Sequence, residues 1–339
     1  MAKDLQRKHF REPNLGFTKT GRQHFVPRFY LGNFADCGLV SVCDLKTGEQ
    51  FEASTRDVGV MIGFNDLEVA GRTVSTEEWL AEIEGAAAPI IGRLATEPAE
   101  VLGLSDGEEN ALSRFIAAQK FRVPAFREFD RRTTASMVGQ IKEFTRGWLE
   151  KTHRRREAEM IWREWDSKPD WWWLQQDAPV EEAYVPTVML GEVQGFANLV
   201  RAMPWRAGWV DSTSSLYTSD NPVSGYLPPA RPWWSGGALF EHAFYFPLST
   251  SALLRIGSLG SEAPLEAGAE RCCETFSAWE TAFARHVVTG EAIRFLYGPG
   301  PYVSRECARS CLHRLDDARL RDAMMLQGFD PRPPRLCPD

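Results

Sequence analysis

The chain has 339 residues, 43% of them hydrophobic, enough to bury a substantial core in one large domain or two ordinary ones. Its formal net charge of -7 argues against a surface that tracks nucleic acid throughout, while leaving room for local basic patches. No run reaches the ~18 to 20 apolar residues that cross a bilayer, Met1 to His9 lacks the apolar stretch of a signal peptide, and seven cysteines, an odd number, argue for reduced thiols, so the expectation is a cytoplasmic protein with no membrane association.

In chain order, an N-terminal extension (1–21) precedes Gln23-His24-Phe25-Val26-Pro27-Arg28-Phe29-Tyr30-Leu31-Gly32-Asn33-Phe34-Ala35-Asp36, which sets a histidine and an arginine among aromatic rings. Residues 38–56 read as a β-hairpin around the turn Lys46-Thr47-Gly48-Glu49. Ser75-Thr76-Glu77-Glu78 predicts a helix start, followed at helical spacing by Trp79, Leu80, Ile83, Ala87, Ile90, Ile91 and Leu94. Ser105-Asp106-Gly107-Glu108 has the form of a capping box and opens a second helix that Pro124 ends. A third helix is predicted over 134–166, and the Pro169 and Trp171-Trp172-Trp173 stretch then marks an internal boundary. Strands and turns dominate 205–260, helical periodicity returns at 268–288 and 304–326, and 329–339 is a Pro-rich tail. The expected fold is α+β: a hairpin plus helical subdomain (22–170) and a β-rich subdomain with C-terminal helices (171–328).

Four segments, in order, resemble a bacterial family catalogued only as domain of unknown function 4238. They are the His24-Phe25-Val26-Pro27 segment with Tyr30-Leu31, Gln119-Lys120-Phe121-Arg122-Val123-Pro124, Ser219-Asp220-Asn221-Pro222, and Pro247-Leu248-Ser249, and the likeness spans roughly residues 22 to 295. Relatives often carry two adjacent histidines where this chain has Gln23-His24. The resemblance implies kinship and no particular reaction.

The residue types nevertheless suggest chemistry. His24 titrates near neutral pH and, aimed by Pro27, suits a general acid, a base or a metal ligand; packed among Phe25, Phe29 and Tyr30 it equally suits a structural histidine. Asp220, just past a strand end, suits a base or metal ligand, Asn221 a donor or acceptor, and Ser219 a nucleophile if a base lies beside it; the alternative is a turn that satisfies its own backbone. Gln119 and Arg122 share a helix face and with Arg28 could hold an anion, or Arg122 could pair with Glu84, a carboxylate that interrupts an apolar stripe. Glu84, Asp220 and His24 together would suit Mg²⁺ or Mn²⁺.

Cys307-x-x-x-Cys311-x-His313 and Cys272-Cys273 lie on predicted helices without zinc-ribbon spacing and read as ordinary thiols. Lys151-Thr152-His153-Arg154-Arg155-Arg156 is the densest basic cluster, and acids follow it at helical spacing as on a solvated face. Twelve tryptophans, clustered at 171–173 and 233–234 in predicted loops, suit either interdomain or homodimer packing or stacking on bases. No Walker loop, dinucleotide fingerprint, nucleophile elbow or His-Glu-x-x-His motif is present.

Three readings follow. The first is a hydrolase or transferase acting on an anionic substrate, with phosphodiester cleavage of RNA or DNA as its specific form. In it His24, Asp220 and Glu84 are catalytic, and Arg28, Gln119, Arg122, Ser219 and Asn221 hold substrate. The second is a non-catalytic nucleotide or nucleic-acid binding module, and the third a structural or regulatory partner in which the same residues are framework. Convergence of His24, Arg28, Arg122 and Asp220 on one cleft would separate the third from the others.

Overall fold

The computed structural model describes residues 21–69, 72–168, 170–173, 184–211, 214–226, 243–257 and 270–313. The N-terminal part runs β1 (Arg22–His24), α1 (Arg28–Leu31), β2 (Leu39–Asp44), β3 (Gln50–Ser54), β4 (Val60–Ile62), β5 (Asp66–Val69) and β6 (Arg72–Ser75). Helices follow: α2 (Glu77–Thr96), α3 (Asp106–Phe121), α4 (Pro124–Thr152), α5 (Arg155–Asp166), α6 (Asp170–Trp173) and α7 (Tyr184–Ala202). The rest is β7 (Trp205–Trp209), β8 (Thr218–Ser219), β9 (Ser224–Tyr226), β10 (Ala243–Pro247), β11 (Ala252–Ile256), β12 (Arg271–Cys273), α8 (Ala278–Glu291), β13 (Phe295–Gly298) and α9 (Gly300–His313). The architecture is α+β, as the sequence predicts.

The β2–β3 hairpin forms where its turn composition places it. Gly48 adopts a positive φ of 77° that a β-branched residue would resist, and the Lys46 amide donates to the Asp44 carboxylate at 2.8 Å. The hairpin joins a four-stranded antiparallel sheet, β3-β2-β13-β8, so its inner strand pairs with a strand some 250 residues later, Phe295 opposite Asp44. A second sheet, β12-β7-β11-β10-β9, is antiparallel apart from the parallel β12–β7 pair.

Period-two alternation divides this second sheet between two cores. Phe244 and Phe246 on β10, with Ala252, Leu254 and Ile256 on β11, face the side where Phe115 of α3 and Phe196 of α7 lie, at ring distances of 6.2 and 5.6 Å. Ala243, Tyr245 and Leu253 face the other way, onto Phe283, Ala284 and Val287 of α8. Full burial of such side chains is worth about 1.5–3 kcal/mol each.

The capping box of α3 is present with both reciprocal bonds, the Glu108 amide to Ser105 Oγ and the Ser105 amide to Glu108 Oε2. Other expectations need correction. The helix predicted over 134–166 starts at Pro124, whose fixed φ suits a first turn, and breaks at His153–Arg154 into α4 and α5. There Thr152 Oγ1 bonds the Trp148 carbonyl at 2.8 Å and meets His153 Nδ1 at 2.8 Å, a side-chain competition that favours a helix end. The segment predicted helical from 268 holds β12 first, and α8 begins only at Ala278, behind a second capping box of Ser277 and Glu280. Cys272 and Cys273 are therefore on a strand, as free thiols, whereas the fully buried Cys43 of β2 is disulfide-bonded, so not every thiol is free. Trp171–Trp173 belong to α6 rather than a loop: Trp173 packs on Trp162 at 6.0 Å and is buried, while Trp172 is partly exposed. The 233–234 tryptophans, residues beyond 313, and the side chains of 307–313 lie outside what is described. No helix among the described residues is long and apolar enough to cross a membrane.

Candidate functional site

Arg122 sits at the C-terminal cap of α3, where the chain turns toward Pro124, and only 2% of it is exposed. A buried guanidinium needs partners for its N–H groups. Its Nε and Nη2 donate to Gln119 Oε1 at 2.9 and 2.8 Å, and Nη1 donates to Glu84 Oε1 at 2.5 Å. Gln119 Nε2 then donates to the Phe25 carbonyl at 2.8 Å, which ties α3 to the segment after β1. Gly59 secures that segment from the other side: its carbonyl accepts from the Phe25 and Val26 amides at 2.9 and 3.2 Å. Gly59 has a φ of +63°, and a Cβ there would meet the Val26 side chain at 3.0 Å.

His24 borders this group. Burial holds its imidazole below the ordinary value of 6.5, against a backbone bond to Thr55 and the nearby Glu84 carboxylate, which both favour the charged form. Its Nε2 is buried and unpartnered among the described residues. Glu77, two turns before Glu84 on α2, has its pKa raised by burial despite accepting from Asn65 Nδ2 at 2.7 Å. His24, Glu84, Gln119 and Arg122 are thus neighbours.

Ser219, Asp220 and Asn221 form a separate group. Asp220 is 2% exposed, and its carboxylate accepts from three consecutive amides: Ile293 at 2.9, Arg294 at 2.8 and Phe295 at 3.0 Å. Burial pushes its pKa up to about 6, against those three bonds, which favour the anion. Ser219 Oγ donates to the Asn221 carbonyl at 3.0 Å and accepts from the Asn221 amide at 3.1 Å, closing a turn on itself. Asn221 Nδ2 donates to the Glu291 carbonyl at 3.2 Å, and its Oδ1 is buried without a partner among the described residues. Among the described residues no histidine or carboxylate bonds Ser219 Oγ as a base would.

Residues that sequence reasoning left unassigned join the two groups. The Tyr30 hydroxyl, fully buried, donates to the Pro247 carbonyl at 2.7 Å and meets Thr218 Oγ1 at 2.9 Å, so one side chain joins two of the four signature segments and the residue just before a third. Asn33 Nδ2 donates to the Leu248 carbonyl at 2.9 Å, and Ser249 Oγ to the Ala95 carbonyl at 3.3 Å. Lys120 Nζ donates to the Val223 carbonyl at 3.1 Å, and the Arg294 guanidinium binds Asp44 at 2.6 Å. Tyr30 stood inside the signature and could have been assigned from its hydroxyl, since a buried tyrosine seeks a partner. Asp44 and Arg294 carry no local signal.

Among the described residues no hydrogen bond or ion pair links Asp220 or the Arg28 side chain to the group around His24 and Arg122. The Arg28 side chain, on the exposed start of α1, makes no hydrogen bond or ion pair with another described residue. Among the described residues no three His, Cys, Asp or Glu side chains are grouped to hold a metal ion, so His24, Glu84 and Asp220 are not assembled as the Mg²⁺ or Mn²⁺ set expected from their types. A cleft of about 370 Å³ between α2 and the start of α3 is lined by residues such as Pro89, Arg93 and Glu108, and none of the candidates reaches it. Its two charges, Arg93 and Glu108, neutralise each other.

No curated protein and no solved structure matches this chain. The family described as "Protein of unknown function (DUF4238)" matches residues 22–294, a span that contains all four signature segments and both groups of buried polar residues. The chain belongs to that family.

Proposed function

We propose that the protein is a binding module that recognises a nucleotide or nucleic acid without turning it over, and that the signature residues are its framework. One observation carries this reading: the two groups a phosphodiesterase would turn toward its substrate are spent internally. Arg122 has its Nε and both terminal nitrogens engaged by Gln119 and Glu84, which leaves no free fork for a phosphate. Asp220 is buried and already accepts three backbone amides, which fill three of its roughly four lone-pair sites.

The hydrolase reading keeps one observation in its favour. His24 presents an unpartnered Nε2 and a lowered pKa close to the half-buried Glu84, the kind of pair that can share acid and base roles. The two readings separate in an assay of labelled RNA and DNA oligonucleotides with Mg²⁺, Mn²⁺ or chelator. The binding reading expects salt-dependent binding and intact oligonucleotide. Cleavage by the wild type that is lost in a folded His24→Ala variant would replace it with catalysis.

A further inference from the structure

We infer that the end of the α4–α5 hairpin is a docking surface for single-stranded nucleic acid, an inference that rests on the binding reading above. Phe144 is 77% exposed and Trp148 47% exposed. They are four residues apart on α4, with Lys151 three further on, so two rings and a cation share one helix face with a rise of about 6 Å between the rings. The edge-on His153 ring lies 5.6 Å from Trp148.

The charges around these rings are arranged unlike those nearby. Lys142 pairs with Asp166 at 3.0 Å and Arg146 with Glu150 at 3.4 Å, as on an ordinary solvated face. At the hairpin's end Lys151, Arg154, Arg155 and Arg156 are all exposed, with no acid between them in sequence. None of the four makes an ion pair with another described residue. In a chain of net charge -7 this is a local reversal of sign.

Exposed rings beside unpaired cations match what a single strand offers, base faces along a phosphate backbone. A duplex hides its base faces in the stack, so it could use the cations and not the rings. An anionic membrane would need the same face to sink into lipid, which would desolvate the exposed Glu143, Glu150, Glu157 and Glu159 around it, whereas a strand laid on the rings leaves those acids hydrated.

The test is fluorescence anisotropy of labelled single-stranded RNA and DNA with the full chain, its Trp148→Ala and Phe144→Ser variants, and a triple Arg154→Ser/Arg155→Ser/Arg156→Ser variant, each checked for unchanged unfolding. The expected result is roughly tenfold weaker binding for each ring variant. For the triple variant the slope of log affinity against log salt should fall by about 2. Wild-type binding that every variant retains would overturn this surface while leaving the protein a nucleic-acid binder. No wild-type binding at all would remove the binding reading and this inference with it. Binding to phosphatidylserine vesicles without binding to oligonucleotides would assign the surface to a membrane and overturn the proposal.

Discussion

The signature core and the α4–α5 hairpin handle their polar and aromatic residues in opposite ways. Around Tyr30 and Arg122, side chains that looked reactive in isolation are buried and bonded to one another or to backbone. On the hairpin, rings and cations face outward and a shorter list of internal partners holds them. A shared motif therefore need not mark a site. In this chain's core it marks where distant segments are fastened together, and we propose recognition at a surface outside it.

Substitutions should affect the two regions differently, and the largest effect is expected at Asp220. Asp220→Ala would orphan three amides in a buried place, at a cost of about 4 kcal/mol or more in denaturant unfolding. A variant of near wild-type stability would mean that those bonds hold nothing together. Arg122→Ala should cost about 3 kcal/mol, because Gln119 and Glu84 lose their shared partner while Glu84 stays partly hydrated. Tyr30→Phe removes one hydroxyl from Pro247 and Thr218 and should cost about 1 to 2 kcal/mol with the fold intact.

A smaller effect concerns pH. The His24 pKa lies below 6.5 in the folded state, so the unfolded chain binds the proton more tightly and stability drains away as pH falls below 6.5. Asp220 works in the opposite sense: raised from 3.8 to about 6, its contribution is fullest below 3.8 and is lost as pH rises through about 6. Comparing wild type with His24→Gln at each pH cancels the Asp220 part. Acidification should destabilise the wild type relative to the variant, and a pH-independent difference would contradict the burial of His24. The smallest effect belongs to the hairpin, where Trp148→Ala should shift stability by no more than about 0.5 kcal/mol.

Much of this was legible wherever the signal was local. The hairpin at 38–56 and the capping box at Ser105 depend on a few adjacent residues. The Glu84–Arg122 pair could also be read, because a carboxylate inside an apolar stripe calls for a cation. The role of Asp220 could not, since its donors lie 73 to 75 residues away and nothing in Ser-Asp-Asn-Pro names them. The same distance hid the pairing of Asp44 with Arg294. Helix α7, which packs along α3, is hard to read locally, because Gly191, Gly195 and the β-branched Val185, Thr187 and Val188 lower its intrinsic helical preference.

The most direct test of the central claim sets the unfolding free energy of Arg122→Ala beside its affinity for a labelled oligonucleotide, measured where the variant remains folded. A framework residue predicts lost stability with a dissociation constant within about twofold of wild type. Unchanged stability with binding abolished would place Arg122 in the recognition site and rule out its framework role.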